Sequence, residues 1–342
     1  MSIIRRNSRQ IGVEQAPVFS TKVTSFNSSG NYIVPGKTTS VTYLVVAGGG
    51  SGGSIGGGGG AGGFRNSTPG ESSGGGASAE PALTVTAGST IPVVVGAGGP
   101  TVHGGYGTWR GGNDSSFGPI VSIAGGGGGD RFAYTKPAHP AGGSQLGQDG
   151  GSGGGAGIWY GVGGTGGTNG NGGGLGTPGQ GYPSGLARVP GSNYGCAVGG
   201  GGAGEAGQKG NPNNVTGGRG GQGVTSSITG TSVAYADGGG GAAGDSTLVA
   251  PQNEGGAPGP GGTGGTGYGS GSSPTMPATD AAVNRGGGGG GSAYGPSPAS
   301  FATVGAGGSG FVAVNDPFGN FAASSVWDLR TVFNLKKSGD WI

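Results

Sequence analysis

The sequence holds one cysteine, two histidines and two methionines in 342 residues. Cys196 alone can build neither a disulfide framework nor a thiolate metal site. His103 and His139 are the only imidazoles, and both lie in loop-like stretches, "VHGGYGTWRGG" and "TKPAHPAGG". No HExxH motif, Cys/His cluster or calcium-loop pattern occurs. The carboxylates Asp114, Asp130, Asp149, Glu205, Asp237, Asp245 and Glu254 stand singly. Glycoside hydrolysis works through a pair of carboxylates, and no such pair can be picked out. The expectation is a non-enzyme with no catalytic residues, no metal and no cofactor.

Charge is equally scarce. Asp, Glu, Lys and Arg make up 9% of the chain and the net charge is +2. The basic residues form no stripe, which argues against a nucleic-acid partner. The longest apolar run, Tyr43 to Ala47, is far below the ~20 residues that span a bilayer, so membrane insertion is not expected. "MSIIRRNSRQ" carries arginines with no apolar stretch behind them, unlike a secretory signal. Synthesis in the cytoplasm is the expectation.

What the chain has is glycine, 99 residues of it. Ordering a backbone residue costs roughly 1–2 kcal/mol, and glycine is at the expensive end. Only 31% of residues are hydrophobic, so backbone hydrogen bonds must supply much of the stability, at roughly 0.5–1.5 kcal/mol net each. The glycine tracts also have a period of three. Thr165, Thr168 and Asn171 in "GGTGGTNGNGGG", Thr263 and Thr266 in "GGTGGTGYG", and Arg219 and Gln222 in "GGRGGQG" follow it, and "GGAGEAGQKG" keeps Gly201, Gly204, Gly207 and Gly210. An extended helix with three residues per turn has no internal hydrogen bonds. Two glycine columns let such helices approach closely and bond to one another, while the third column carries side chains outward. Buried helices should be almost pure glycine. Collagen, the other three-residue helix, needs abundant proline; only 21 prolines are present. Irregular packed loops remain the alternative.

Ordinary core formers are confined to a few segments. Residues 23–47 read as strand, turn, short strand, turn and a strong strand from Val41 to Val46. Further strands are expected at Leu83–Thr86, Pro92–Val95, Pro119–Ala124 and Phe311–Val314. The expected fold is therefore all-β. A small antiparallel β-sandwich base covers 23–141 and 296–318. A glycine-rich region, 142–295, is inserted into it and packs as polyglycine-II helices. Residues 1–22 form an arm with Arg5, Arg6 and Arg9. Residues 319–342 hold a short C-terminal α-helix: Ser325 caps it, Trp327 opens it, and Leu329, Val332 and Phe333 line an apolar face for the base or a neighbouring chain.

"GNYIVPGKTTSVTYLVVAGGG", "LTVTAGSTIPVVVGAGG" and "GSGFVAV" resemble the glycine-rich domain of tail-fibre and tail-tip adhesin proteins of tailed bacteriophages. Tyr32, Val34, Pro35, Val41 and the run from Gly48 carry the match, over about 26–130 and 286–314. The resemblance implies polyglycine-II packing, exposed variable loops, a place on the virion exterior, contact with other virion proteins and a homotrimer.

Aromatic and polar clusters punctuate the glycine. Tyr106, Trp109 and Arg110 form one; Phe132 and Tyr134 another; Trp159 and Tyr160 a third; Tyr182, Arg188 and Tyr194 a fourth; Tyr235 stands in "TSVAYADGG". Aromatics beside polar groups on loops suit recognition of sugars or protein loops. Each could equally fold back to cover glycine layers. The expected function is a tail fibre or fibre-tip adhesin that binds a host surface polysaccharide or outer-membrane protein. The alternative is a head, neck or decoration protein with a purely structural role.

Overall fold

The computed structural model describes residues 18–54, 56–101, 111–130, 146–157, 172–185, 197–210, 217–242, 278–292 and 303–322. In chain order the strands are β1 (Val18–Phe26), β2 (Gly30–Ile33), β3 (Ser40–Val46), β4 (Phe64–Asn66), β5 (Leu83–Thr84), β6 (Thr90–Val94), β7 (Ser115–Phe117), β8 (Ile120–Ser122), β9 (Val224–Ser226), β10 (Val233–Tyr235) and β11 (Phe311–Ala322). One sheet runs β1-β11-β3-β4, with β5 also on β3; a second runs β2-β6-β7-β8; β9 and β10 form a hairpin. Every strand pair is antiparallel. The chain is all-β.

Strand β3 is buried on both faces. Alternate residues of a strand point to opposite sides. Val41, Tyr43 and Val45, with Val312 and Val314 of β11, pack against Tyr32, Val93 and Phe117 of the second sheet. Leu44 and Val46 face the other way, onto Phe64, Ile228, Tyr235 and Phe311. Tyr235 stacks on Phe311 with ring centroids 5.5 Å apart. Alanines of three glycine tracts, Ala61, Ala203 and Ala236, complete this second cluster.

The sheet does not end where its strands end. The register that sets Val46 opposite Phe64 continues as backbone bonds from Ala47 to Gly63, Gly50 to Gly60 and Gly53 to Gly57. The register that sets Val46 opposite Phe311 continues from Gly49 to Gly308 and Gly52 to Gly305. Pairing with a given neighbour now recurs every third residue instead of alternating. This is the signature of a three-residue helix, so β3 winds into a polyglycine-II tract without losing its partners.

Tract 56–63 shows what surrounds a buried helix of this kind. Its residues 56, 59 and 62 donate to Ser292, Gly289 and Gly286; 57, 60 and 63 donate to Gly129, Gly126 and Ile123; 58 and 61 donate to Val198 and Gly201. It accepts from Gly53, Gly50 and Ala47, from Gly155 and Ser152, and from Ala242 and Gly239. Three neighbours receive its N–H groups and three others feed its carbonyls, giving six tracts around one. A Cβ on Gly58 would lie under 3.0 Å from the Gly239 carbonyl, and one on Gly60 would meet Ser152 and Gly153 as closely. That close approach is why the tract is nearly pure glycine.

Rim tracts follow the expected column rule. Cβ atoms on Gly218 and Gly221 would strike the carbonyls of Gln208 and Glu205, and those on Gly217 and Gly220 the carbonyls of Gly241 and Gly238. The remaining column holds Arg219, half-buried, and Gln222, exposed. The columns at Thr165, Thr168, Asn171, Thr263 and Thr266 lie outside the described residues.

Three expectations change. "GGAGEAGQKG" is two antiparallel tracts, because Gly199 donates to Gln208 and Gly202 to Glu205, so the chain reverses between them. The strand expected over Pro119–Ala124 is present but shorter, β8 at Ile120–Ser122, and it forms a tight hairpin with β7, which was not expected, across Gly118 at φ +54°. Strand β1 begins inside the stretch read as an arm and pairs with β11, which runs on to Ala322. The C-terminal helix, from Ser325 onward, lies outside the described residues. Glycine tracts on both sides of residue 142 interleave in one lattice: tract 56–63 bonds both to 123–129 and to 198–201.

Candidate functional site

The pairing orders every tract along the lattice axis. Gly63 lies beside Ala47 at the sheet end, and Gly57 lies beside Gly53 six residues further out. At that far end are Gly129, which accepts from Gly57; Ser292, which accepts from Gly56; Val198, which accepts from Gly58; Gly155, which donates to Gly58; and Ala242, which donates to Gly56. Gly305 accepts from Gly52, and Gly290 donates to Thr279, at the same level. The pairs Gly147–Gly172, Gly185–Gly199 and Gln208–Arg219 also lie in the outer half. At ~3.1 Å per residue the lattice is roughly 20–25 Å tall.

The consequence is a molecule with two different ends. The chain leaves and re-enters the lattice at its far end on either side of 131–145, 158–171, 186–196, 211–216, 243–277 and 293–302. It heads the same way, from lower on the flank, before 102–110, since Gly99 donates to Gly49 and Gly112 to Gly125. At the opposite end, β1 and β11 run away from the lattice as a ribbon whose last pair is Val18 with Ala322. Residues 1–17 and 323–342 continue from that end.

The candidate recognition residues Tyr106, Trp109, Arg110, Phe132, Tyr134, Trp159, Tyr160, Arg188 and Tyr194 lie outside the described residues; the segments of the last six have their flanks at the far end, and that of the first three has them lower on the lattice. The docking candidates Arg5, Arg6, Arg9, Trp327, Leu329, Val332 and Phe333 are also outside them, beyond the ribbon. Tyr182 is described and is placed elsewhere. It is half-buried in the lattice, its N–H donates to Gly202 and its carbonyl accepts from Gly153, near the sheet end. Tyr235 is a core residue, 2% exposed, with the Arg285 guanidinium 5.0 Å from its ring centre.

Several of the carboxylates are backbone acceptors. Asp114 accepts the N–H of Ala124, Asp149 that of Leu175, Asp280 that of Ala306 and Asp130 that of Ser54. Glu71 accepts from the N–H and hydroxyl of Ser227 and from the Asn66 amide. Burial pushes the Glu71 carboxyl up, but the hydrogen bonds from Ser226, Ser227 and Asn66 outweigh it and leave it below its ordinary range. Asp237 accepts the N–H of Gly223 at the mouth of the β9–β10 hairpin, while its Oδ2 is buried without a partner among the described residues. Burial pushes it up to about 6. These acceptors carry no sequence motif. Among the described residues, no three His, Cys, Asp or Glu side chains gather as a metal site, and no helix is long and apolar enough to cross a membrane.

A family model described as "Glycine-rich domain" matches residues 24–315. The chain belongs to this glycine-rich domain family. The match runs from within β1 to Asn315 of β11, so it takes in both sheets and the lattice together, and its limits nearly coincide with the start of the ribbon. No curated protein matches the sequence.

Proposed function

We propose that this glycine-rich domain protein is a non-enzymatic component of a tailed-phage virion, a tail fibre or fibre-tip adhesin. Its receptor contacts come from the segments carried at the far end of the lattice. Its attachment to other virion proteins comes from the ribbon end, with residues 1–17 and 323–342. The receptor is a host surface polysaccharide or an outer-membrane protein.

The observation that supports this most strongly is the two-ended layout. The pairs Gly129–Gly57 and Ser292–Gly56 put the flanks of most aromatic-bearing segments at one end, and Val18–Ala322 puts the first and last described residues at the other. A rigid scaffold presenting variable connections on one side is the usual arrangement of a binding protein. The resemblance of residues 26–130 and 286–314 to phage adhesins points the same way.

The test exchanges segments in the phage. Replacing 158–171 and 186–196, singly and together, with short Gly-Ser connections should leave particle assembly intact and abolish or redirect adsorption to host cells. Unchanged adsorption after all far-end segments have been replaced would overturn the adhesin reading and favour a decoration role.

A further inference from the structure

Strand β11 changes its company at one residue. Through Asn315 it lies between β1 and β3, and its last pair with β3 is Asn315 with Thr42. From Asp316 onward it has only β1 beside it among the described residues. There the register slips: Lys22 pairs with Asp316 and Ser20 with Asn320, so Thr21 faces Pro317, Phe318 and Gly319. A bulge bends the strand and disrupts the ladder, and Pro317 has no N–H to contribute. Three pairs lie beyond it, Ser20 with Asn320, Phe19 with Phe321 and Val18 with Ala322. Two strands alone are at best marginally stable in water, so this outer ribbon depends on how its base is held.

The residue at the base is a buried acid. Asp316 continues the face of Val312 and Val314, which pack between the two sheets, and it is 1% exposed. An apolar residue there would pack without the cost of taking a charge out of water. The Thr38 hydroxyl, itself fully buried, donates to Asp316 Oδ2 at 2.8 Å, across 278 positions of sequence. Thr38 lies in the connection from β2 to β3, where its N–H donates to the Pro35 carbonyl. The bond therefore ties the ribbon base to the link between the two sheets. Tyr32 of β2 is buried nearby. Burial, and after it the Asp316 charge, hold its phenol above the ordinary range, but its hydroxyl makes no hydrogen bond of ordinary geometry.

We infer that the Asp316–Thr38 bond is a latch. It anchors the ribbon base to the body, and the strands beyond the bulge open and close as a unit of their own that the latch keeps closed. Local opening of this kind needs few buried contacts and a weak link to the rest of the fold, and the bulge supplies that link. That the latched ribbon serves attachment rests on the adhesin reading; the latch itself does not.

The test is residue-resolved amide hydrogen exchange on the full chain, which needs neither phage nor host, so it can fail independently of the adsorption experiment. Thr38→Val keeps the shape of the side chain and removes the donor. The amides of residues 18–20 and 320–322 should then exchange at least about tenfold faster, while those of Leu44 to Val46 keep their wild-type rates. Thr38→Ser keeps the hydroxyl and should retain wild-type protection. Unchanged ribbon exchange in Thr38→Val would overturn the inference. So would an equal loss of protection in β3, or a valine variant that no longer folds, because the bond would then hold the whole body. A serine variant as open as the valine one would overturn it too, since the hydroxyl would not be the part that matters.

Discussion

Gly50 donates its N–H to the carbonyl of Gly60 at 2.9 Å, four residues along each chain from the pair Val46 and Phe64 in the sheet. The two pairs share one register. A β-ladder and a polyglycine-II contact are thus successive stretches of the same antiparallel pairing, the first stabilised by Val, Leu and Phe side chains and the second by backbone alone. The first needs side chains to fill the space between layers, and the second needs them absent.

That contrast predicts opposite responses to alanine at neighbouring kinds of position. Gly58→Ala forces a methyl into the Gly239 carbonyl and should cost ~3 kcal/mol or more, in the range of severe overpacking. Gln222→Ala, in the outward column, should change stability by no more than ~0.5 kcal/mol. Urea unfolding of the two variants against wild type checks both.

Asp237 predicts a pH dependence. Its folded-state value is raised to about 6 from 3.8 by burial, so the native state holds the proton more tightly than the unfolded chain. The associated stability is full below the unfolded value and is lost as pH rises through about 6. Unfolding free energy should therefore fall between pH 4 and 6 by roughly 2–3 kcal/mol from this group. Asp237→Asn keeps an acceptor for Gly223 and should remove that slope, leaving the variant more stable than wild type at pH 7. A variant with the wild-type slope would show that another group titrates.

Glu71 works with the opposite sign. Its carboxyl is held below its ordinary range by Ser226, Ser227 and Asn66, so its contribution is present above the unfolded value and disappears as pH falls through the depressed one. Glu71→Gln should cost up to ~1 kcal/mol at pH 7, because the carboxylate is only partly buried and solvent screens its hydrogen bonds, and the deficit should shrink in acid. Thermal unfolding at pH 7 and pH 3 measures it.

Much of this architecture was legible in the sequence because each half has its own period. The alternation in "SVTYLVV" marks β3 and the glycine triplets mark the lattice. Strand β1 was harder to see: "VFSTKVTSF" mixes Lys22 and serines into a strand that has β11 on only one side. Strand β4 is three residues long and follows glycine directly, so only its place opposite β3 makes it a strand. Tyr235 could be read either as a loop aromatic or as one folded back onto glycine, because its neighbours are polar and glycine-rich and Phe311, which it stacks on, is far away in sequence. The six-neighbour arrangement could not be read at all, since glycines of different tracts are chemically identical and only the sheet register tells them apart.

The central claim is that bare glycine tracts are held as firmly as the sheet that feeds them. Residue-resolved amide hydrogen exchange on the intact protein tests it most directly. The amides of Gly57 to Ala61, each bonded to a different tract from its neighbours in sequence, should be protected to the same degree as those of Leu44 to Val46. Exchange of these glycine amides at rates typical of exposed loops, with β3 still protected, would contradict the account.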